Sequence, residues 1–187
     1  MPPRAKVTRQ MILDAAIDII RERGHESLNV RAIAERLGCS TQPVLYSFKT
    51  VDEIREAAYQ AADAYHSAYI LPAQDEDTDP LLAMGLNYVR FGHEEKNLFR
   101  FLFQTNKFGG MDLQTLVASP DLAEVLAVVS QGTGVSMAEA RELLLTFFAL
   151  THGLASLLAN NAVAYDEAQC IAMLECVYAG ALASQRK

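Results

Sequence analysis

The side chains best suited to chemistry on a partner are gathered in the run GCSTQPVLYSFKT, residues 38–50. Ser40, Thr41, Gln42, Tyr46 and Ser47 bring short hydrogen-bonding groups, Lys49 a cation and Thr50 a further hydroxyl. Such a set suits base edges in a DNA groove. Gln matches adenine, Ser and Thr match several bases, and an apolar side chain such as Val44 matches the thymine methyl. Arg31 suits a guanine or a phosphate. Tyr46, Lys49 and Thr50 suit backbone phosphates, as do Arg4, Lys6 and Arg9 near the N-terminus. Leu45 and Phe48, three apart, are expected to share an inward face, leaving Thr41, Gln42, Val44, Tyr46 and Ser47 outward.

Other constellations carry less. Asp75, Asp77 and Asp79 imitate the first half of a calcium loop, but Pro80 takes the sixth position and Leu86 the twelfth. His93-Glu94 opens like a zinc-protease motif, yet Asn97 stands where the second histidine belongs. Gly132-Thr133-Gly134 follows a helical pattern and not a strand, so it is no dinucleotide loop. Cys39, Cys170 and Cys176 are too few and too scattered for a disulfide framework and read as reduced thiols. No Ser/His/Asp or metal-ligand spacing appears, so neither an enzyme nor a metal or cofactor is expected. Phe91, Phe99, Phe103, Met111, Phe147 and His152 are candidates to line an apolar cavity with one polar group. His152 alone also reads as a hydrogen-bonded structural histidine. With few basic residues nearby, a small molecule bound there is expected to be apolar or neutral.

Helices must position these residues. Periodicity of the i, i+3, i+4 kind runs nearly throughout, with no sustained two-residue alternation, so the chain is expected to be all-α. A first helix over about 8–23 buries Ile12, Ala16, Ile19 and Ile20 and stops at Gly24 as a left-handed cap. Asn29 caps a second, with Val30, Ile33, Ala34 and Leu37 as its stripe, ending at Gly38. The short third helix follows after Cys39 and Ser40. Helix, glycine-containing turn and helix form the helix-turn-helix pattern. Either Ser40 caps the third helix with Pro43 in its first turn, or Gln42 precedes Pro43 as its first residue. Both place the proline where an N–H has no intrahelical partner.

Thr50-Val51-Asp52-Glu53 reads as a capping box opening a long fourth helix, about 51–69. Asp79-Pro80 opens a fifth, to about His93, and apolar helices follow over about 97–104 and 120–130. Ser136-Met137-Ala138-Glu139 is a second capping box, opening a helix to about Leu158. Asp166 caps a last helix to about Ser184. The expected organisation is a helix-turn-helix domain over 1–50, a connecting helix over about 51–69, and a C-terminal domain within 51–187. The last two helices have broad apolar faces with Gly153, Ala155, Gly180, Ala181 and Ala183 for close approach. Leu150, Leu154, Leu158, Ile171, Leu174, Tyr178 and Ala181 are candidates for an interface between two copies, four helices in all.

Net charge is −7, which taken in bulk speaks against nucleic acid. Its distribution speaks for it: residues 1–50 hold eight Lys/Arg against five acids (+3), and residues 51–187 hold eight against eighteen (−10). No apolar run is expected to reach the length of a membrane span, about 18–20 residues, and no signal-peptide pattern is visible. A cytoplasmic protein without a membrane partner is expected.

The run ILDAAIDIIRERGHESLNVRAIAERLGCSTQPVLYSFKTVDEI, residues 12–54, resembles the DNA-binding domain of the TetR family of bacterial transcriptional regulators. The resemblance lies in Ala15-Ala16, Gly24, Ile33-Ala34, Gly38, Ser40, Phe48-Lys49 and the Asp-Glu-Ile that begins helix four. NLFRFLF (97–103) and THGLASLLANN (151–161) resemble the family's ligand-binding and dimerisation domain. Family members usually carry Tyr three residues before the matched Phe. Here Leu45 stands there and Tyr46 one place later, and Cys39 replaces a common small aliphatic residue. The resemblance implies a homodimeric regulator, mostly of the repressor kind, with two recognition helices on a near-palindromic operator in double-stranded DNA. It implies a small-molecule effector that alters head spacing. A rival reading keeps the ligand-binding or interaction module without DNA recognition.

Overall fold

The computed structural model describes residues 7–71, 79–105, 109–113, 115 and 122–185. Every regular element among them is helical, in agreement with the all-α expectation. Arg4, Lys6, Asp75 and Asp77, singled out above, and the expected helix start at residue 120 lie outside the described residues.

Helix α1 spans Arg9–Arg23, capped by Thr8, whose hydroxyl accepts from the Met11 N–H. It buries Ile12, Ala15, Ala16, Ile19 and Ile20 along one stripe. Gly24 stops it, but not as a left-handed cap: φ is 83° and ψ 160°, a region open to glycine almost alone. A 3-10 turn, His25–Ser27, leads to α2, Val30–Arg36, which the Asn29 side chain caps at the Ala32 N–H. The Cys39 N–H reaches the Ala34 carbonyl and the Gly38 N–H the Glu35 carbonyl, with Gly38 at φ 62°. This is a Schellman ending, and it fixes the turn into α3, Thr41–Ser47. Ser40 is the cap residue by position, though its side chain makes no capping bond, and Pro43 falls third in the helix, inside the first turn.

Helix α4, Val51–Ile70, opens with the Thr50 hydroxyl accepting from the Glu53 N–H. The Glu53 carboxylate accepts from the Lys49 N–H, one residue before the position a regular capping box uses. Its buried residues Ile54, Ala58, Ala62 and His66 repeat every fourth position, one straight ridge. Helix α5, Pro80–Glu94, is capped by Asp79, and α6 spans Lys96–Phe103 with Leu98, Phe99, Phe101 and Leu102 buried. Helix α7, Ala123–Thr133, contains Gly132 and Thr133 and ends on a left-handed Gly134. Helix α8, Met137–Asn160, carries the full Ser136/Glu139 capping box, and α9 spans Glu167–Gln185 after an Asp166 cap.

The chain divides into two compact units: residues 1–66 with 95–105, and 67–94 with 106–187. This division runs elsewhere than a boundary at residue 50. Most of α4 and all of α6 group with the helix-turn-helix, because α6 packs on α1. In the first unit the Asn97 amide donates to the Arg21 carbonyl, and Arg21 pairs with Glu95 at 3.1 Å. In the second unit, α5 and α8 approach closely. A Cβ at Gly85 would lie 2.3 Å from the Phe147 ring, and one at Gly92 2.6 Å from the Ala155 Cβ. Helix α9 is tied to the same pair: the Tyr178 hydroxyl donates to Asp79 at 2.6 Å, and Arg90 grips Glu167 with two hydrogen bonds.

Contrary to the sequence expectation, α8 is long and apolar enough to cross a membrane, by length and composition. The physical reason lies in its packing. Ala140, Leu143, Leu144, Phe147, Thr151, Ala155, Leu158 and Ala159 face the core, while Thr146, Ala149, Gly153 and Leu157 form an uncharged exposed face. A helix apolar on two sides imitates a span without needing lipid.

Candidate nucleic-acid interface

Helix α3 is seven residues long, too short to hold itself, and its placement comes from its neighbours. Val44 is completely buried and Phe48 1% exposed, while Leu45 is 45% exposed. This corrects the expected face: Val44, offered as a groove residue, is core, and Leu45, offered as core, is surface. The reason is local. Val44 stands one helical turn before Phe48, its carbonyl takes the Phe48 N–H, and both side chains are buried together in the head.

The remaining candidates do gather on accessible surface. Gln42 and Tyr46 are exposed, Tyr46 to 91%, and Thr41, Pro43 and Ser47 are half-buried along the same short helix. Ser40, Lys49 and Thr50 are exposed at its two ends, and Arg31 is exposed in the first turn of α2.

The basic side chains of the head divide by what already holds them. Arg21 pairs with Glu95 and lies over the Tyr65 ring at 4.7 Å; Arg36 pairs with Glu22. Arg9 is also engaged. Its guanidinium sits 3.8 Å over the Phe48 ring and donates from Nη1 to the Ser47 carbonyl at 2.9 Å. Among the described residues, Arg23, Arg31 and Lys49 show no ion pair. The cations left for an anionic partner at α2 and α3 are therefore Arg31 and Lys49.

The candidate cavity residues are divided between the two units. Phe99 and Phe103 belong to the first unit, where Phe103 meets the His66 ring edge-on at 5.0 Å. Met111 is 59% exposed. Phe91, Phe147 and His152 lie in the second unit, Phe91 and Phe147 deep in its core. His152 accepts or donates at Nδ1 with the Tyr88 hydroxyl, 3.0 Å away, and Phe148 lies beside its ring. Burial lowers the His152 pKa and raises that of Tyr88, favouring the neutral form of each. Sequence reading missed Tyr88, a lone tyrosine on an apolar stripe; its position four residues before Gly92 on α5 was the available signal.

The candidate interface residues are mostly committed inside the chain. Leu158 is 4% and Leu174 1% exposed, and Leu150, Tyr178 and Ala181 pack on the same core as Leu174. Residues on the other sides of these helices stay exposed: Ala149, Gly153 and Leu157 on α8, and Ala172, Met173, Cys176, Ala179, Gly180 and Ala183 on α9. A Cβ at Gly153 or Gly180 would meet nothing within 4 Å. Helix α9 is thus apolar on both its core side and its outer side.

Comparison with known proteins agrees with the geometry. Residues 12–58 match the model of bacterial regulatory proteins of the tetR family, and residues 81–175 match the tetracyclin repressor-like C-terminal domain. The tetracycline repressor protein class D of Escherichia coli and that of class H of Photobacterium damsela subsp. piscicida are each 33% identical over 79 residues, 42% of this chain. The match spans 36% of the length of each relative. With a helix-turn-helix over α2 and α3 and family matches covering both parts of the chain, the protein belongs to the TetR family of bacterial regulatory proteins.

Proposed function

We propose that this protein is a sequence-specific, homodimeric transcriptional repressor, released from a near-palindromic DNA operator by a small-molecule effector. The observation that carries the reading is α3: a short helix anchored by Val44 and Phe48 that presents Gln42 and Tyr46 outward, with Thr41 and Ser47 beside them. Gln42, Thr41, Pro43 and Ser47 address base edges; Tyr46, Lys49, Thr50, Ser40 and Arg31 address phosphates or flanking bases. Two copies join through the outer faces of α8 and α9, where small side chains permit close approach. Phe91, Phe147, His152 and Tyr88 serve an apolar or neutral effector. A ligand that binds better to the wrong head spacing must weaken operator binding, since half-sites lie about 34–36 Å apart.

The test is selection of bound duplexes from a random library by the purified protein at near-physiological salt. A near-palindromic consensus is expected. Dimerisation without any enrichment, with or without candidate effectors, refutes DNA reading and favours a ligand-binding module that has lost its operator.

A further inference from the structure

Arg9 is the first residue of α1, yet its guanidinium is held at the far end of α3. It stacks on the Phe48 ring at 3.8 Å and donates to the carbonyl of Ser47, the last residue of α3, at 2.9 Å. The last-turn carbonyls of a helix lack intrahelical donors, so this contact satisfies a group the helix leaves open. At the other end of α3, Ser40 provides no side-chain cap. A seven-residue helix with one uncapped end takes its tilt from what touches it. Here those contacts are the Val44 and Phe48 side chains and the Arg9 guanidinium.

We infer that Arg9 is a positioning residue for DNA reading: it sets the tilt of α3 and does not itself neutralise a phosphate. The inference rests on the DNA-binding reading above. Gln42 stands five residues before Ser47, about 7–8 Å along the helix axis. A swing of about 10° about Val44 moves a side-chain tip some 6 Å away by roughly 1 Å, enough to spoil hydrogen bonds to base edges. Phosphate contacts through flexible Lys49 and exposed Arg31 tolerate the same swing. Losing the clamp therefore costs discrimination before it costs general affinity. Lysine cannot replace it, because only a planar fork stacks on a ring while donating in its own plane.

The experiment measures binding of full-length wild type, Arg9→Met and Arg9→Lys over a salt series. The probes are the duplex enriched by selection and an unrelated duplex of equal length. Both variants are expected to lose about tenfold on the enriched duplex, through a smaller fraction of correctly tilted helix. On the unrelated duplex the expected loss is below about twofold, and the slope of log K against log salt stays that of wild type. If Arg9→Lys keeps wild-type affinity while Arg9→Met lowers the slope by about 0.9 per subunit, Arg9 is a phosphate contact and the inference falls. Wild-type discrimination in both variants overturns it as well. Should Arg9→Met lose its helical circular dichroism, Arg9→Lys decides alone by the same readouts. A wild type that fails to distinguish the two duplexes sinks the DNA reading itself, a result separate from either failure of Arg9.

Discussion

Replacing Gly92 by alanine adds one methyl group where α5 faces the backbone of α8. The new Cβ would lie 2.6 Å from the Ala155 Cβ, 2.8 Å from its Cα and 2.9 Å from its carbonyl oxygen. Two of these three atoms are backbone, so no rotamer change relieves the contact. Reaching ordinary separation requires the helices to part by about 1 Å along a packed seam, which costs about 2–3 kcal/mol. Alanine returns about 1 kcal/mol through its helix propensity. The net expectation is a destabilisation of about 1–2 kcal/mol. For a chain of this size that lowers the melting temperature by roughly 2–8 °C. Urea unfolding and thermal melts of full-length protein, at one fixed concentration, measure it. Ala155→Gly in the Gly92→Ala background removes the shortest of the three contacts and is expected to recover part of the loss. A Gly92→Ala protein more stable than wild type by about 1 kcal/mol would refute the close approach, since propensity alone would then prevail.

Three further outcomes follow from the same packing. Burial pushes the His66 pKa down to about 4, so the unfolded chain binds the extra proton between about 6.5 and 4. Stability from this residue is complete above about pH 6.5 and is lost by about 3 kcal/mol as pH falls to 4; His66→Leu is expected to remove that part of the slope in urea titrations at stepped pH. Val44→Ala is expected to cost about 2 kcal/mol and Leu45→Ala less than about 1, by denaturant unfolding; the reverse order would restore the inward face read from sequence. Gly180→Glu is expected to leave helicity intact and raise the dimer dissociation constant on the order of a hundredfold, since like charges meet across the symmetric face. Sedimentation that finds an unchanged dimer refutes that placement.

The elements were legible because their signals are local. Thr8, Asn29, Asp79, Ser136 and Asp166 cap helices by their own side chains, and each could be read without knowing the fold. What failed depends on partners far along the chain. Val44 lies four residues before Phe48 and Leu45 three, and both spacings share a helix face, so only the packing of the head chooses Val44. Arg9 looked free because its partner lies 38 residues away. Periodicity does not separate the two apolar sides of α8 and α9; only burial tells core from surface there. Composition could not tell that Phe99 and Phe147, both candidate cavity residues, belong to different units.

The first compact unit is discontinuous, and that constrains how it is made. Helices α1 to α3 and most of α4 leave the ribosome before α6 exists, so they emerge with their seat for Leu98, Phe101 and Leu102 empty. Only when residues 95–105 follow do Asn97 reach the Arg21 carbonyl and Phe101 come to lie between His25 and Tyr59. By then the chain has already passed through α5, the first helix of the other unit. The head is therefore complete only after the first helix of the other unit has been made, and before that helix has its partners α8 and α9. A fragment cut at residue 66 and fused to another protein would carry an open apolar wound, and it would need α6 supplied in trans to close it.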